Sequence, residues 1–305
     1  MGLASQALWI RRAGAIQPDN PIPVHGLTIE DIAPRWFAIK SCGPTSWLKA
    51  LDKRAFLGFD FWEFSLRSLT HAYGWFFLRR VALRHPVRTF RALRTYRREI
   101  RPAKHRLLVP IGALSEDPFL TRVKQGPWLL AIGFCEKPLD PPCPAGRFNH
   151  ECCWLREPPA DKPLKPCQDC RLRELGEKAW AAGATIHIMT SAMDIARDLL
   201  TPGLAGTPWN GLLLSMCPYS VGPITLAMTL CGLPGLVLNY ETGDCRDYAA
   251  WIQADVGIKP ERTFRSCASH SRLLELISRI AEARQARAVA PAVRFRQKGH
   301  FFHPV

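Results

Sequence analysis

What most constrains this chain is a succession of four short, continuously apolar runs, at residues 128–134, 184–189, 211–216 and 235–240. Each is too short to be a long helix and too apolar to lie half-exposed, so each reads as a strand buried on both faces. The intervening residues 171–182, 192–200 and 224–230 carry helical periodicity, and 245–253 adds a helix after the last run. Ser191 followed by Asp194 predicts a capping box at the start of the second of these helices. Buried strands alternating with helices specify an α/β fold, a doubly wound and mostly parallel sheet.

One rival reading rests on residues 199–240, which include no charged side chain, and on 221–238, which are long enough for a membrane span. Pro202, Pro208, Pro218, Pro223 and Pro234, with Gly211, Gly222, Gly232 and Gly235, cut this stretch into strand-sized and helix-sized pieces. A buried strand–helix–strand unit accounts for that punctuation better than a lipid-facing helix.

The 305 residues are 47% hydrophobic and 22% charged, which is ordinary for a globular protein, but Lys and Arg number 41 against 26 Asp and Glu. Of the net +15, +11 lies between Arg67 and Arg106, where twelve basic residues face Glu99 alone. Aromatic and aliphatic residues interleave with the arginines at spacings of three and four, so the region reads as helices, broken at Pro86. Three roles fit: a solvated face of packed helices, a partner-protein or anionic membrane surface, or an RNA surface. The membrane or partner surface would comprise Trp75, Phe76, Arg80, Arg84, Arg88, Arg91, Arg94 and Arg98. RNA is the weakest of the three, because no RNP, KH or zinc-finger pattern accompanies the charge. The expected organisation is an N-terminal region (1–66), the basic aromatic helices (67–127), a cysteine-rich α/β domain (128–265), and a C-terminal part (266–305). In that last part, 271–287 reads as a surface helix and 294–305 as a basic tail.

The chain holds 11 cysteines, an odd number, and opens without a secretory leader pattern. A cytoplasmic protein is expected, with a peripheral place on the inner membrane face as the further option, and in that compartment clustered thiols serve as metal ligands or redox groups. Cys135 follows the first run, Cys217 the third, and Cys245 the turn 241–244 after the fourth, so in a parallel sheet all three lie on the ligand-binding edge. A proline-rich insertion, 136–166, leaves from the same edge with Cys143, Cys152 and Cys153, and ends in Cys167-Gln-Asp-Cys170 at a helix start. Helix N-termini favour thiolates, and a bound metal would order so apolar-poor a segment.

One or two iron–sulfur clusters fit these thiols best. Cys143, Cys152, Cys167 and Cys170 would form one set, leaving Cys135, Cys153, Cys217 and Cys245 for a second set or an active-site thiol. Zinc is the alternative, although only one Cys-x-x-Cys knuckle is present, and a thiol–disulfide motif or plain buried thiols are the remaining readings. Cys231 reads as core, Cys42 and Cys267 as isolated, and His187 as a core histidine; His150, inside the insertion, reads equally as ligand or structure. No nucleotide-binding, phosphate-loop, hydrolase-elbow or zinc-protease motif occurs.

The order Cys143-Pro-Ala-Gly146, Cys167-Gln-Asp-Cys170, Gly211-Leu-Leu-Leu-Ser-Met-Cys217-Pro218 and Asn239-Tyr-Glu-Thr-Gly-Asp-Cys245 resembles domain-of-unknown-function family 116. The resemblance covers about residues 128–263 and implies metal or iron–sulfur binding by these cysteines. The expected function is an iron–sulfur redox protein acting in electron transfer, or on a lipid or a partner enzyme's substrate. The alternative is a non-catalytic, zinc-ordered module that binds RNA or a protein.

Overall fold

In this computed structural model the described residues are 57, 59–104, 106–112, 114–156, 164–284 and 295–305. Contacts divide the chain into Met1–Glu63 and Phe64–Val305, and the fold below belongs to the second unit. Cys42 lies outside the described residues.

A seven-stranded sheet runs in the order β1-β5-β4-β2-β3-β7-β6. The strands are β1 Leu108–Ile111, β2 Trp128–Gly133, β3 Thr185–Met189, β4 Gly211–Met216, β5 Gly235–Asn239, β6 Phe295–Lys298 and β7 Phe301–Pro304. Strands β5, β4, β2 and β3 run parallel to one another. Every residue in them is buried, as continuously apolar runs require when helices cover both faces.

The helix Arg171–Ala181 links β2 to β3, a helical run over 192–206 returns the chain across β2 to β4, and Pro218–Leu230 links β4 to β5. Right-handed crossovers running in opposite directions put their helices on opposite faces. The helix contacts agree: Arg171–Ala181 packs on Cys267–Ala283, which packs on Glu116–Lys124. Separately, Pro218–Leu230 packs on Pro86–Thr95 and on the π-helical turns Tyr96–Ile100 and Ala196–Leu200.

The stretch without charges, 199–240, is the end of one helix followed by the unit β4–helix–β5. No helix among the described residues is long and apolar enough to cross a membrane. The predicted capping box is present: Ser191 Oγ accepts from Asp194 N at 3.2 Å, and the Asp194 carboxylate from Ser191 N at 3.4 Å. Two helices outrun their expected bounds. Pro218 occupies a first-turn position of Pro218–Leu230, where the missing N–H costs nothing, and Pro202 follows the π-helical turn Ala196–Leu200 within a run that continues to Gly206.

Two corrections concern the edges. The segment read as a basic tail forms the hairpin β6–β7, whose Phe302 is fully buried and pairs with Ile186 of β3. Antiparallel β1, against β5, closes the other edge. Both were hidden because edge strands of four residues leave little periodicity to detect.

In the basic region Pro86 opens the helix Pro86–Thr95, as expected, after the chain turns at His85. Val81, Ala92, Tyr96, Ile100 and Ala103 are buried, whereas Arg79, Arg80, Arg84, Arg88, Arg91, Arg94 and Arg98 point outward. The outer face is also apolar: Trp75, Leu83, Val87 and Phe90 are 47%, 67%, 62% and 66% exposed.

Candidate functional site: thiols at the C-terminal edge of the sheet

The direction of chain crossing reverses between β2 and β4, and a crevice opens where their C-terminal ends diverge. A cavity sits there, lined by Cys135, Cys217, Cys245, Lys259, Ser220 and Tyr240 among others. Each thiol is delivered by local structure. Cys135 lies in the 3-10 turn Phe134–Glu136 after β2, and Cys217 is the N-cap of Pro218–Leu230. Cys245 follows a turn that needs glycine: Gly243 has φ +61°, and a Cβ there would lie 2.2 Å from the Arg262 carbonyl oxygen.

Lys259 Nζ is 3.5 Å from Cys245 Sγ. A hydrogen bond from the Cys217 thiol, reinforced by this ammonium, pulls the Cys245 thiol down to about 7. The same hydrogen bond holds the Cys217 proton in place and raises its pKa, while burial pushes Cys135 up to about 11. Near neutrality the cavity therefore presents one thiol poised to ionise and two that keep their protons.

Behind two of its lining residues, Ser215 and Tyr240, lies an ion pair that sequence reading missed. Arg265, fully buried, donates to both oxygens of Glu136 (2.6 and 2.5 Å) and to Ser215 Oγ at 2.7 Å. Tyr240 Oη donates to Glu136 Oε1 at 2.7 Å and accepts from Gly133 N at 3.1 Å. This network clamps the end of β2 to the loop before the helix Cys267–Ala283.

The remaining thiols gather beside it. Cys153 and Cys167 are hydrogen-bonded, with Cys143 and Cys170 close enough to act on Cys167 electrostatically, and Cys152 is a neighbour of both Cys153 and Cys170. Burial pushes Cys152 and Cys167 up to about 12. Cys170 is the N-cap of Arg171–Ala181, and its sulfur accepts from the backbone N–H groups of Arg173 and Leu172. In space, Cys143, Cys152, Cys153, Cys167 and Cys170 form one group and Cys135, Cys217 and Cys245 another, so Cys153 stands with Cys167. No described cysteine forms a disulfide.

The segment between β2 and Arg171–Ala181 is loop with two four-residue helices among its described residues, Cys153–Arg156 and Lys165–Gln168. Part of its order comes from a cation. Lys137 is 1% exposed and donates to the carbonyls of Gly146 (3.1 Å) and Asn149 (2.9 Å) and to Asn149 Oδ1 (2.6 Å). Burial lowers the Lys137 pKa to about 8. Such lysines carry no sequence signature, because only the folded loop surrounds them with carbonyls.

Cys231, as expected, is fully buried at the end of Pro218–Leu230, and burial pushes it up to about 12. Cys267 is exposed at the start of Cys267–Ala283. His187 is buried in β3 as anticipated, yet it is paired with Asp198. Compared with protein-family models, with curated proteins and with solved structures, the chain finds no match.

Proposed function

We propose that the chain is an iron–sulfur redox protein of doubly wound α/β fold, whose cysteine-rich insertion and sheet edge hold the cluster. It would act in electron transfer, or in redox chemistry on a lipid or a partner enzyme's substrate. The observation that carries this reading is the convergence of eight cysteines, drawn from distant parts of the chain, into two neighbouring groups at one sheet edge without disulfides.

The donor set suits a cluster better than a single ion. Zn–S bonds of about 2.3 Å would bring tetrahedral sulfurs to about 3.8 Å from one another. Among the described residues, the thiols form no group of three or more donors placed to hold a single metal ion. Cys143, Cys152, Cys153, Cys167 and Cys170 provide enough thiolates for one four-cysteine cluster. Cys135, Cys217 and Cys245 provide three for a second, or leave Cys245 as a reactive thiol. A bound cluster would supply one-electron transfer.

The chain's own residues prepare the site. Lys137 and Lys259 offset thiolate charge that burial would otherwise disfavour. Arg265 and Glu136 keep the cavity wall rigid, and the largely apolar lining limits water. The outward arginines with Trp75, Leu83, Val87 and Phe90 would seat this edge-bound chemistry on an anionic membrane surface or an acidic partner.

Purification without oxygen tests the core reading. A brown protein with iron and acid-labile sulfide is expected, and Cys167→Ser and Cys170→Ser should each lose most of that iron while Cys231→Ser keeps it. A colourless protein with about one zinc per chain would reject the proposal in favour of the zinc-ordered module.

A further inference from the structure

We propose that His150, His187, Asp198 and His300 form a second metal site, separate from the thiols, that binds one divalent transition ion such as zinc. Four segments bring them together: the loop before Cys152, the middle of β3, the π-helical turn Ala196–Leu200, and the turn between β6 and β7. One donor atom from each lies within 4.8 Å of the others.

The donor atoms already face one another, and an ion would displace the protons that His187 and His300 give to Asp198. His187 Nε2 and His300 Nδ1 both meet Asp198 Oδ2, at 2.9 and 2.7 Å. The His150 ring stacks on His300 at 3.7 Å and 9°. His150 Nδ1 donates to the Ile188 carbonyl at 2.7 Å, which leaves the lone pair on Nε2. Thr190 Oγ1 is 3.3 Å from that nitrogen, but it donates its only proton to Asp194 at 2.5 Å and has none for the imidazole. An imidazole fixed through Nδ1 with a free Nε2 is the form in which histidine ligates metal.

Charge argues in the same direction. Three adjoining imidazoles repel one another when protonated, even with Asp198 between two of them and Asp194 3.8 Å from His150, whereas a divalent ion takes three neutral nitrogens and the Asp198 carboxylate together. The π-helical turn inserts the extra residue that swings Asp198 over β3, and such turns recur at functional sites. Side-chain exposure rises from 0% at His187 through 14% and 15% at His150 and Asp198 to 41% at His300, which gives an ion a way in. Four protein donors without an open position make a structural site. It would fasten the β6–β7 hairpin, and the loop leading into Cys152 and Cys153, to β3.

Cobalt(II) loading of the full-length chain under anaerobic conditions tests this. His300→Ala and Asp198→Asn should each bind one equivalent fewer than wild type. The lost signal should be ligand-field bands without sulfur-to-cobalt charge transfer, which separates it from the thiols. His303→Ala, on the same hairpin but outside the group, should retain the full amount. Equal binding in wild type and both variants would overturn the proposal, as would a lost signal of sulfur character. Equal loss in His303→Ala would also overturn it, by attributing the effect to hairpin undocking. Wild-type protein loaded with zinc supplies a check independent of variant folding: imidazole scattering in its X-ray absorption is required, and a purely sulfur shell overturns the site.

Discussion

Glu136 and Arg265 show how much a single buried contact can decide. A bidentate ion pair away from water survives only while both partners are present. Glu136→Gln leaves the guanidinium uncompensated and should lower stability by about 3–5 kcal/mol in urea denaturation. Arg265→Lys should not rescue the pair, because an ammonium cannot reach Ser215 and both carboxylate oxygens at once. A second test at this scale concerns Cys245 in the metal-free protein. Its thiol lies near 7 because Cys217 donates to it and Lys259 stands beside it. Deprotonation therefore proceeds as pH rises through about 7, and the iodoacetamide rate at Cys245 should reach half its plateau there. Cys135, pushed up to about 11 by burial, should stay inert over the same range. Lys259→Met should move the Cys245 midpoint upward; an unchanged midpoint would show that the ammonium plays no part.

Among the elements, the C-terminal hairpin governs more than its length implies. It covers β3, which would otherwise present a continuously apolar strand with open backbone groups at a sheet edge. Phe302 is its anchor, and Phe302→Ala should cost about 3–5 kcal/mol through lost burial and the cavity left behind. Removal of residues 295–305 should go further and produce concentration-dependent aggregation, readable by light scattering. A monomeric deletion variant of wild-type stability would mean that the hairpin is not needed to protect β3. The helix Pro218–Leu230 illustrates the opposite case. It is apolar all round because it is sandwiched between the sheet and the basic helices, and a helix of that kind declares its burial in sequence.

For the molecule as a whole, the thiols and the exposed arginines belong to different elements. Among the described residues Arg79, Arg80, Arg84, Arg88, Arg91, Arg94 and Arg98 make no ion pair, and exposed aromatic and aliphatic side chains accompany them. Binding to vesicles containing anionic lipid is expected, and it should weaken with salt as the Debye length falls from about 10 Å at 0.1 M to about 3 Å at 1 M. Reversing the charge of Arg84, Arg88 and Arg91 together should abolish that binding while bound iron stays constant. Competition between anionic vesicles and RNA of equal charge at one ionic strength identifies the partner. Retention by RNA alone rejects the membrane surface, and retention by neither points to a protein.

The sequence by itself determined the parallel core. Strands β2 to β5 announce themselves because full burial demands uninterrupted apolar residues, and proline, glycine and the Ser191 cap mark where helices begin and end. It also placed Cys135, Cys217 and Cys245 on one edge, since the C-terminal ends of parallel strands share an edge whatever their order. Only the tertiary structure decided which thiols are neighbours, that Lys259 rather than another cation faces Cys245, and that Glu136 and Arg265, 129 residues apart, are partners. It alone brought His300 to His187, through a hairpin whose few residues carry no period. Local propensity and burial are written along the chain and can be read there. Long-range pairing of polar groups depends on strand order and loop path, which no short window of residues encodes.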